Sequence, residues 1–228
     1  MEDIKIIREE VTRLLNTDDS GHNMDHINRV CKIALSIADK NTNSKIITAI
    51  ALLHDVDDYK LFGLEQSKDL TNAKMILSKT SFSKEEKNKI INSIKTIGYS
   101  KRIAGVTPDI KEAMVVSDAD MLDAMGALGI LRSYHYNITH GNPFFVKEEF
   151  PILDMDETTY KTKAKGTVVN HIFEKLLRLK DLMLTKKGKA EASRRHEFLI
   201  EFLKEYFYEE DAKEWQEYLN KYIKKNDN

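Results

Sequence analysis

The sequence predicts an all-α protein, and three observations carry that reading. Apolar residues recur at three- and four-residue steps along most of the chain, the spacing of one face of a helix. Only three prolines and nine glycines occur in 228 residues, too few for a turn-rich β fold. Ser83 and Glu86 have the spacing of a capping box, opening a run with Ile90, Ile91, Ile94 and Ile97.

Ile4, Ile7, Val11 and Leu14 or Leu15 give a first amphipathic helix, broken by the turn formers of residues 16–23. A second begins near Asp25, with Ile27, Val30, Ala34 and Ile37 as its stripe and His26, Arg29 and Ile33 at the edge of that face. Residues 41–44 separate it from a third helix, whose run 46–53 is apolar almost all round, reads as buried, and ends around His54-Asp55. A shorter helix is expected over 69–77. Thr107-Pro108 reads as an N-cap and first helical residue, leading through Ala113, Val116 and Asp120 on one face. Gly126 and Gly129, in the small-residue run 124–130, are expected to permit close helix approach rather than to cradle phosphate. From His135 to about Thr167 the period is lost, and this stretch, with the acidic run 154–157, is expected to form a partly ordered flap. Helical period returns at Phe173, Leu176, Leu177 and Leu184, and again at Phe198, Leu199, Phe202, Leu203 and Phe207, with the polar end 224–228 expected to fray. The length suits one domain over 1–228, with a core of about 20–134, an irregular segment 135–167 and C-terminal helices over 168–223.

Charge excludes some functions. With 36 basic and 37 acidic residues the net charge is −1, which supplies no field for a nucleic-acid polymer or an anionic membrane. Phosphate recognition, if any, is local. Cys31 is the single cysteine, so no internal disulfide or thiolate zinc site can form, and it reads as core filler. The charged N-terminus lacks the apolar run of a signal peptide, and no stretch approaches a membrane span, so a cytoplasmic location is expected.

The chemistry lies in His26, His54, Asp55 and Asp120, an N2O2 set for one divalent metal. A carboxylate at the end of so apolar a run must be paired, hydrogen-bonded or metal-bound, because burying it alone is prohibitively costly. Two imidazoles favour Mn2+, Fe2+, Co2+, Ni2+ or Zn2+ over Mg2+, and two carboxylates without a thiolate favour an open octahedral ion over a closed structural zinc. Asp118 rivals Asp120 as the fourth ligand on spacing alone.

The segments HNMDHINRV, LLHDVDDYK and SDADMLDAMGALGILR together resemble the HD-domain metal-dependent phosphohydrolases. The resemblance implies an all-α core, the ligand set His26, His54, Asp55 and Asp120, and the second Asp of DAD in preference to Asp118. It covers roughly residues 20–207. The segments NHIFEKLLRLKDLMLTKKGK and RRHEFLIEFLKEYF are similar to a bacterial subgroup that includes Mn2+-dependent nucleoside triphosphate pyrophosphohydrolases. Relatives with two metals resemble one another in supplying extra histidines between the positions of Asp55 and Asp120. This chain has none there, which implies one metal and argues against a di-iron oxygenase.

The resemblance therefore implies a nucleotide as small-molecule substrate and one ion, Mn2+ first, with Mg2+, Co2+, Ni2+ or Fe2+ as alternatives. Asp58, three residues after Asp55, is the expected base or water-orienting group if the helix continues, whereas Asp57 reads as a surface residue. Lys60, Lys101, Arg132, His171 and Lys175 are candidate phosphate clamps, and His22 a candidate substrate contact. His171 and Lys175 share a helix face at i, i+4. Arg29 belongs to the resemblance as an ion-pair partner. A nucleoside monophosphatase with the same ligands, or a nucleotide- or metal-binding regulator, remains the alternative, as a monomer or homodimer.

Overall fold

The computed structural model describes residues 2–15, 23–153 and 166–226, apart from the side chains of residues 59, 60, 64, 66 and 226. Among the described residues every regular element is a helix, and no helix is long and apolar enough to cross a membrane. In chain order they are α1 (Glu2–Leu15), α2 (Met24–Ile37), α3 (Ser44–Leu53), α4 (Tyr59–Phe62), α5 (Leu64–Asp69), α6 (Thr71–Ser78), α7 (Lys84–Ile94), α8 (Tyr99–Ile103), α9 (Lys111–Asp123) and α10 (Gly126–Thr139). Then follow α11 (Val168–Glu174), a 3-10 helix (Leu176–Leu182), α12 (Lys186–Glu209) and α13 (Lys213–Asn226).

The chain divides into two compact units. The first is Met1–Asp123 with Leu182–Gly188; the second is Ala124–Asp181 with Lys189–Asn228. At the centre of the first lies α3, packed against α1, α2, α7 and α9, which is why its sequence is apolar on nearly every side. Burying each Ile or Leu of that run contributes about 1.5–3 kcal/mol. Helix α9 packs on both α2 and α3, and almost all of it is buried. Cys31 is core filler as expected, and burial pushes its thiol up to about 11.

Helix ends explain several departures from the expected pattern. The capping box forms: Ser83 N donates to Glu86 Oε2 (2.8 Å) and Glu86 N to Ser83 Oγ (3.2 Å). The Thr107-Pro108 start does not, and α9 begins at Lys111, because the Thr107 hydroxyl instead accepts from Arg102 Nη1 (2.5 Å). The helix expected over 69–77 is divided by Leu70 at φ 50°, with α5 before it and α6 after it. Asp57 is not a surface residue: 3% exposed, it accepts from the backbone amides of Asn72 and Ala73 (2.9 Å each) and so caps α6 from outside that helix. Burial raises its carboxyl pKa, and those two amides pull it the other way.

In the second unit α10 packs against α11 and runs on through Thr139, past the expected loss of period at His135. The Asn137 amide donating to Ser133 O (2.8 Å) satisfies a buried polar group on that extension. The acidic run 154–157 lies outside the described residues. Rings of Phe145, Phe150, Phe173, Phe207, Tyr218 and Tyr222 gather around Trp215, either directly or through Phe173, and the indole donates to Lys147 O (2.9 Å). Gly126 serves its φ of 71°, a conformation other residues rarely adopt, rather than the expected close helix approach, since a Cβ there would make only ordinary contact with the Arg195 side chain of α12. Gly129 has a different reason: a Cβ there would meet the Ala124 carbonyl, at 2.2 Å, in its own chain. At the C-terminal end helix continues to Asn226.

Candidate metal centre

Three helices of the first unit supply the centre. His26 lies in the first turn of α2, whose N-cap Asn23 accepts from the His26 amide (3.3 Å). His54 is the C-cap of α3, and Asp55 follows it in the turn that ends the helix. Asp120 lies in α9. The adjacent His and Asp converge because the helix stops there; on a continuing helix they would diverge by roughly 100°.

His26, His54 and Asp120 bring ligand atoms within 4.8 Å of one another, and Asp55 approaches both imidazoles. His26 Nε2 lies 3.3 Å from His54 Nε2, 3.4 Å from Asp55 Oδ2 and 3.6 Å from Asp120 Oδ1. His54 Nε2 lies 3.5 Å from Asp55 Oδ2 and 3.8 Å from Asp120 Oδ1. Donor atoms about 2.1 Å from one ion stand roughly 3.0–3.4 Å apart at octahedral to tetrahedral angles, so these spacings fit a slightly expanded shell. The imidazoles form a buried floor, 3% and 2% exposed, and the carboxylates an outer rim, 14% and 23% exposed.

Proton placement tests whether a cation belongs there. His26 Nδ1 lies 2.8 Å from Asp123 Oδ2, and His54 Nδ1 lies 2.8 Å from Ala51 O. A carboxylate and a carbonyl can only accept, so both Nδ1 atoms donate, and in the neutral rings both Nε2 lone pairs face one point. Two lone pairs 3.3 Å apart between two carboxylates repel unless a positive charge stands among them. The same field acts on protons. Burial opposes charging His54, yet the Asp55 charge and the hydrogen bond and charge of Asp120 push it up to about 9. Burial likewise works to raise the Asp120 pKa, but the His54 hydrogen bond and the charges of His54 and His26 bring it below its ordinary value. The residues present fit a divalent ion.

Asp118, the rival ligand, is occupied elsewhere. Fully buried, it accepts from Leu184 N (2.9 Å), Thr185 N (2.8 Å) and Thr185 Oγ1 (2.7 Å), tying down the segment that opens α12. Sequence reading missed Asp123, which is fully buried. It accepts from His26 and, in a fork, from Arg29: Nε to Oδ1 2.7 Å, Nη2 to Oδ2 3.1 Å. The signal was available as spacing, since Arg29 follows His26 and Asp123 follows Asp120 at i, i+3 on two helices that pack together. Arg29 is thus an ion-pair partner, as the resemblance implied.

Asp58 does not sit on a continuation of α3. Residues 54–57 form turns, Asp58 N donates to Asp55 O (3.1 Å), and Asp58 O accepts from the amides of Leu61 and Phe62, so Asp58 opens α4 and is half-buried. Lys101 is exposed on α8. Arg132 on α10, His171 on α11 and Lys175 at its C-cap belong to the second unit. His22 lies outside the described residues, as does the side chain of Lys60.

An all-α scaffold that brings His, His-Asp and Asp together from three helices defines the class. The HD domain family matches residues 23–125, from the N-cap of α2 to just past α9. Over 203 residues the chain is 30% identical to the Bacillus subtilis protein YpgQ, covering 87% of this chain and 89% of the relative. A solved HD-superfamily hydrolase from Bacillus thuringiensis is 32% identical with a TM-score of 0.70, covering 92% of this chain and 98% of that one. The crystal structure of B. subtilis YpgQ in complex with ADP is 28% identical with a TM-score of 0.67, covering 89% and 97%. The chain belongs to the HD domain family and is an enzyme of the HD-superfamily hydrolase class.

Proposed function

We propose that this protein hydrolyses a nucleoside triphosphate to the monophosphate and pyrophosphate, using one Mn2+ ion. The observation that supports it most is the convergence of two Nε2 lone pairs and two carboxylates from three helices. A relative that aligns over most of this chain has been crystallised with ADP, which favours a nucleotide. His26, His54, Asp55 and Asp120 would hold the ion, which supplies a Lewis acid and lowers the pKa of a coordinated water.

The remaining roles fall to this chain's own groups. Asp58, half-buried and three residues past Asp55, takes the proton of the attacking water. Attack at the α-phosphorus breaks its bond to the α–β bridging oxygen, and pyrophosphate departs with that oxygen. Among Lys60, Lys101, Arg132, His171, Lys175 and His22 are the groups that neutralise the phosphate oxygens as charge shifts to the leaving group.

A nucleotide panel with Mn2+, assayed separately for orthophosphate and pyrophosphate, tests the reading. Pyrophosphate from triphosphates, lost in His54→Ala, is the expected result. Orthophosphate from monophosphates would assign a nucleotidase instead. Tight nucleotide binding without either product over hours would assign a regulatory protein.

A further inference from the structure

We infer that Asp123 is a positioning residue for the metal centre: through His26 Nδ1 it holds the His26 Nε2 lone pair on the ion, and Arg29 fixes Asp123 in the orientation that does so. The inference rests on the metal-centre reading above and assigns it two residues beyond the ligands.

Three facts carry it. Asp123 is fully buried on α9, three residues beyond the ligand Asp120, and such a carboxylate is retained only with charged or donating partners. Its two oxygens are engaged in one arrangement: Oδ1 takes Arg29 Nε, and Oδ2 takes both Arg29 Nη2 and His26 Nδ1. If the His26 ring turned over, Cδ2–H would replace Nδ1–H against Asp123 and the hydrogen bond would be lost. His54 is fixed by a backbone carbonyl of its own helix, whereas His26 depends on a side chain 97 residues away. One histidine is therefore oriented by secondary structure and the other by tertiary structure.

The arrangement makes an unusual demand on the isosteric change Asp123→Asn. An amide has one acceptor oxygen. Placed toward Arg29 Nε, it turns the NH2 on His26 Nδ1, which must then accept, and the proton moves to Nε2, where the ion binds. Placed toward His26, it sets the NH2 against Arg29 Nε–H, donor against donor. Removing the guanidinium relieves the second clash and frees the amide oxygen for His26.

Mn2+ affinity of the full chain, measured by calorimetry, tests this without any turnover. Asp123→Asn is expected to weaken binding about 10–100-fold. The double variant Arg29→Met/Asp123→Asn is expected to recover part of that loss, a gain no purely structural role predicts. Asp123→Asn with unchanged affinity, or a double variant no tighter than Asp123→Asn, overturns the inference. The Zn2+-loaded wild type gives a second measure if Asp123→Asn fails to fold: proton NMR should show a His26 Nδ1–H signal protected from exchange, and a freely exchanging one overturns the proposal. Wild type that binds no Mn2+, or binds it equally after His54→Ala, would instead refute the metal centre itself.

Discussion

Asp118, Asp120 and Asp123 lie within six residues of one helix and do three different things. At roughly 100° per residue, Asp118 and Asp120 point about 160° apart and Asp120 and Asp123 only about 60° apart. That much is legible in sequence, and so is the grouping of His26, His54, Asp55 and Asp120, because a carboxylate after an apolar run demands an explanation. What sequence does not show is which face of α9 meets which neighbour, since the partners of Asp118 lie 66 and 67 residues away. The two faces should separate by experiment. Asp120→Ala is expected to abolish calorimetric Mn2+ binding, whereas Asp118→Ala should keep it and lose roughly 1–3 kcal/mol of stability in urea. Asp58→Asn should keep the ion within a few-fold and lower kcat by roughly 10²–10⁴ if Asp58 is the base.

Asp3 gives a residue-scale pH effect. Lys45 Nζ (2.8 Å), then Ser81 N and the Ser81 hydroxyl, hold its carboxyl down to about 2, with burial opposing them. A folded pKa below the unfolded value means stability that is present above about pH 4 and lost as pH falls toward 2. Asp3→Asn should therefore lower the urea midpoint at pH 7. The gap from wild type should narrow through that acid window, and a constant gap would refute the assignment.

Among the elements, helix starts were read with mixed success for a common reason. Ser83 with Glu86 caps within its own helix, so the pattern is local and legible. Asp57 caps a helix that begins 14 residues later in the chain, and Asp118 serves the opening of α12 from another helix; neither leaves a local trace. The start of α12 also accounts for Gly188. A Cβ there would come within 2.3 Å of Asp118 Oδ2 and 2.7 Å of Thr185 Oγ1. Gly188→Ala should push Asp118 off those donors and lower the unfolding free energy measured in urea by roughly 1–3 kcal/mol, in spite of alanine's higher helix propensity. A stabilised variant would show that the cap tolerates displacement.

For the molecule as a whole, the all-α class was evident from periodicity and from the scarcity of proline and glycine. The division into two units leaves no compositional mark: one boundary falls between Asp123 and Ala124, another after Gly188 inside α12, with no linker at either. On the proposed site, in which only the folded arrangement of His26, His54, Asp55 and Asp120 would hold the ion, saturating Mn2+ should stabilise the protein. At 100 times Kd the gain is about 2.7 kcal/mol, which at ~2–4 °C per kcal/mol for a chain of this size corresponds to roughly 5–10 °C in Tm. Calorimetric scans before and after chelation check it, and coincident scans would count against the site.

Trp215 has a practical consequence of its own. It is the only tryptophan in the sequence, and it is packed among the rings of the second unit, whereas the proposed ligands His26, His54, Asp55 and Asp120 belong to the first. Intrinsic fluorescence is thus a one-sided optical probe. A metal titration that releases heat while the emission stays silent would locate the response within the first unit, and a spectral shift would reveal that the aromatic cluster senses the ion.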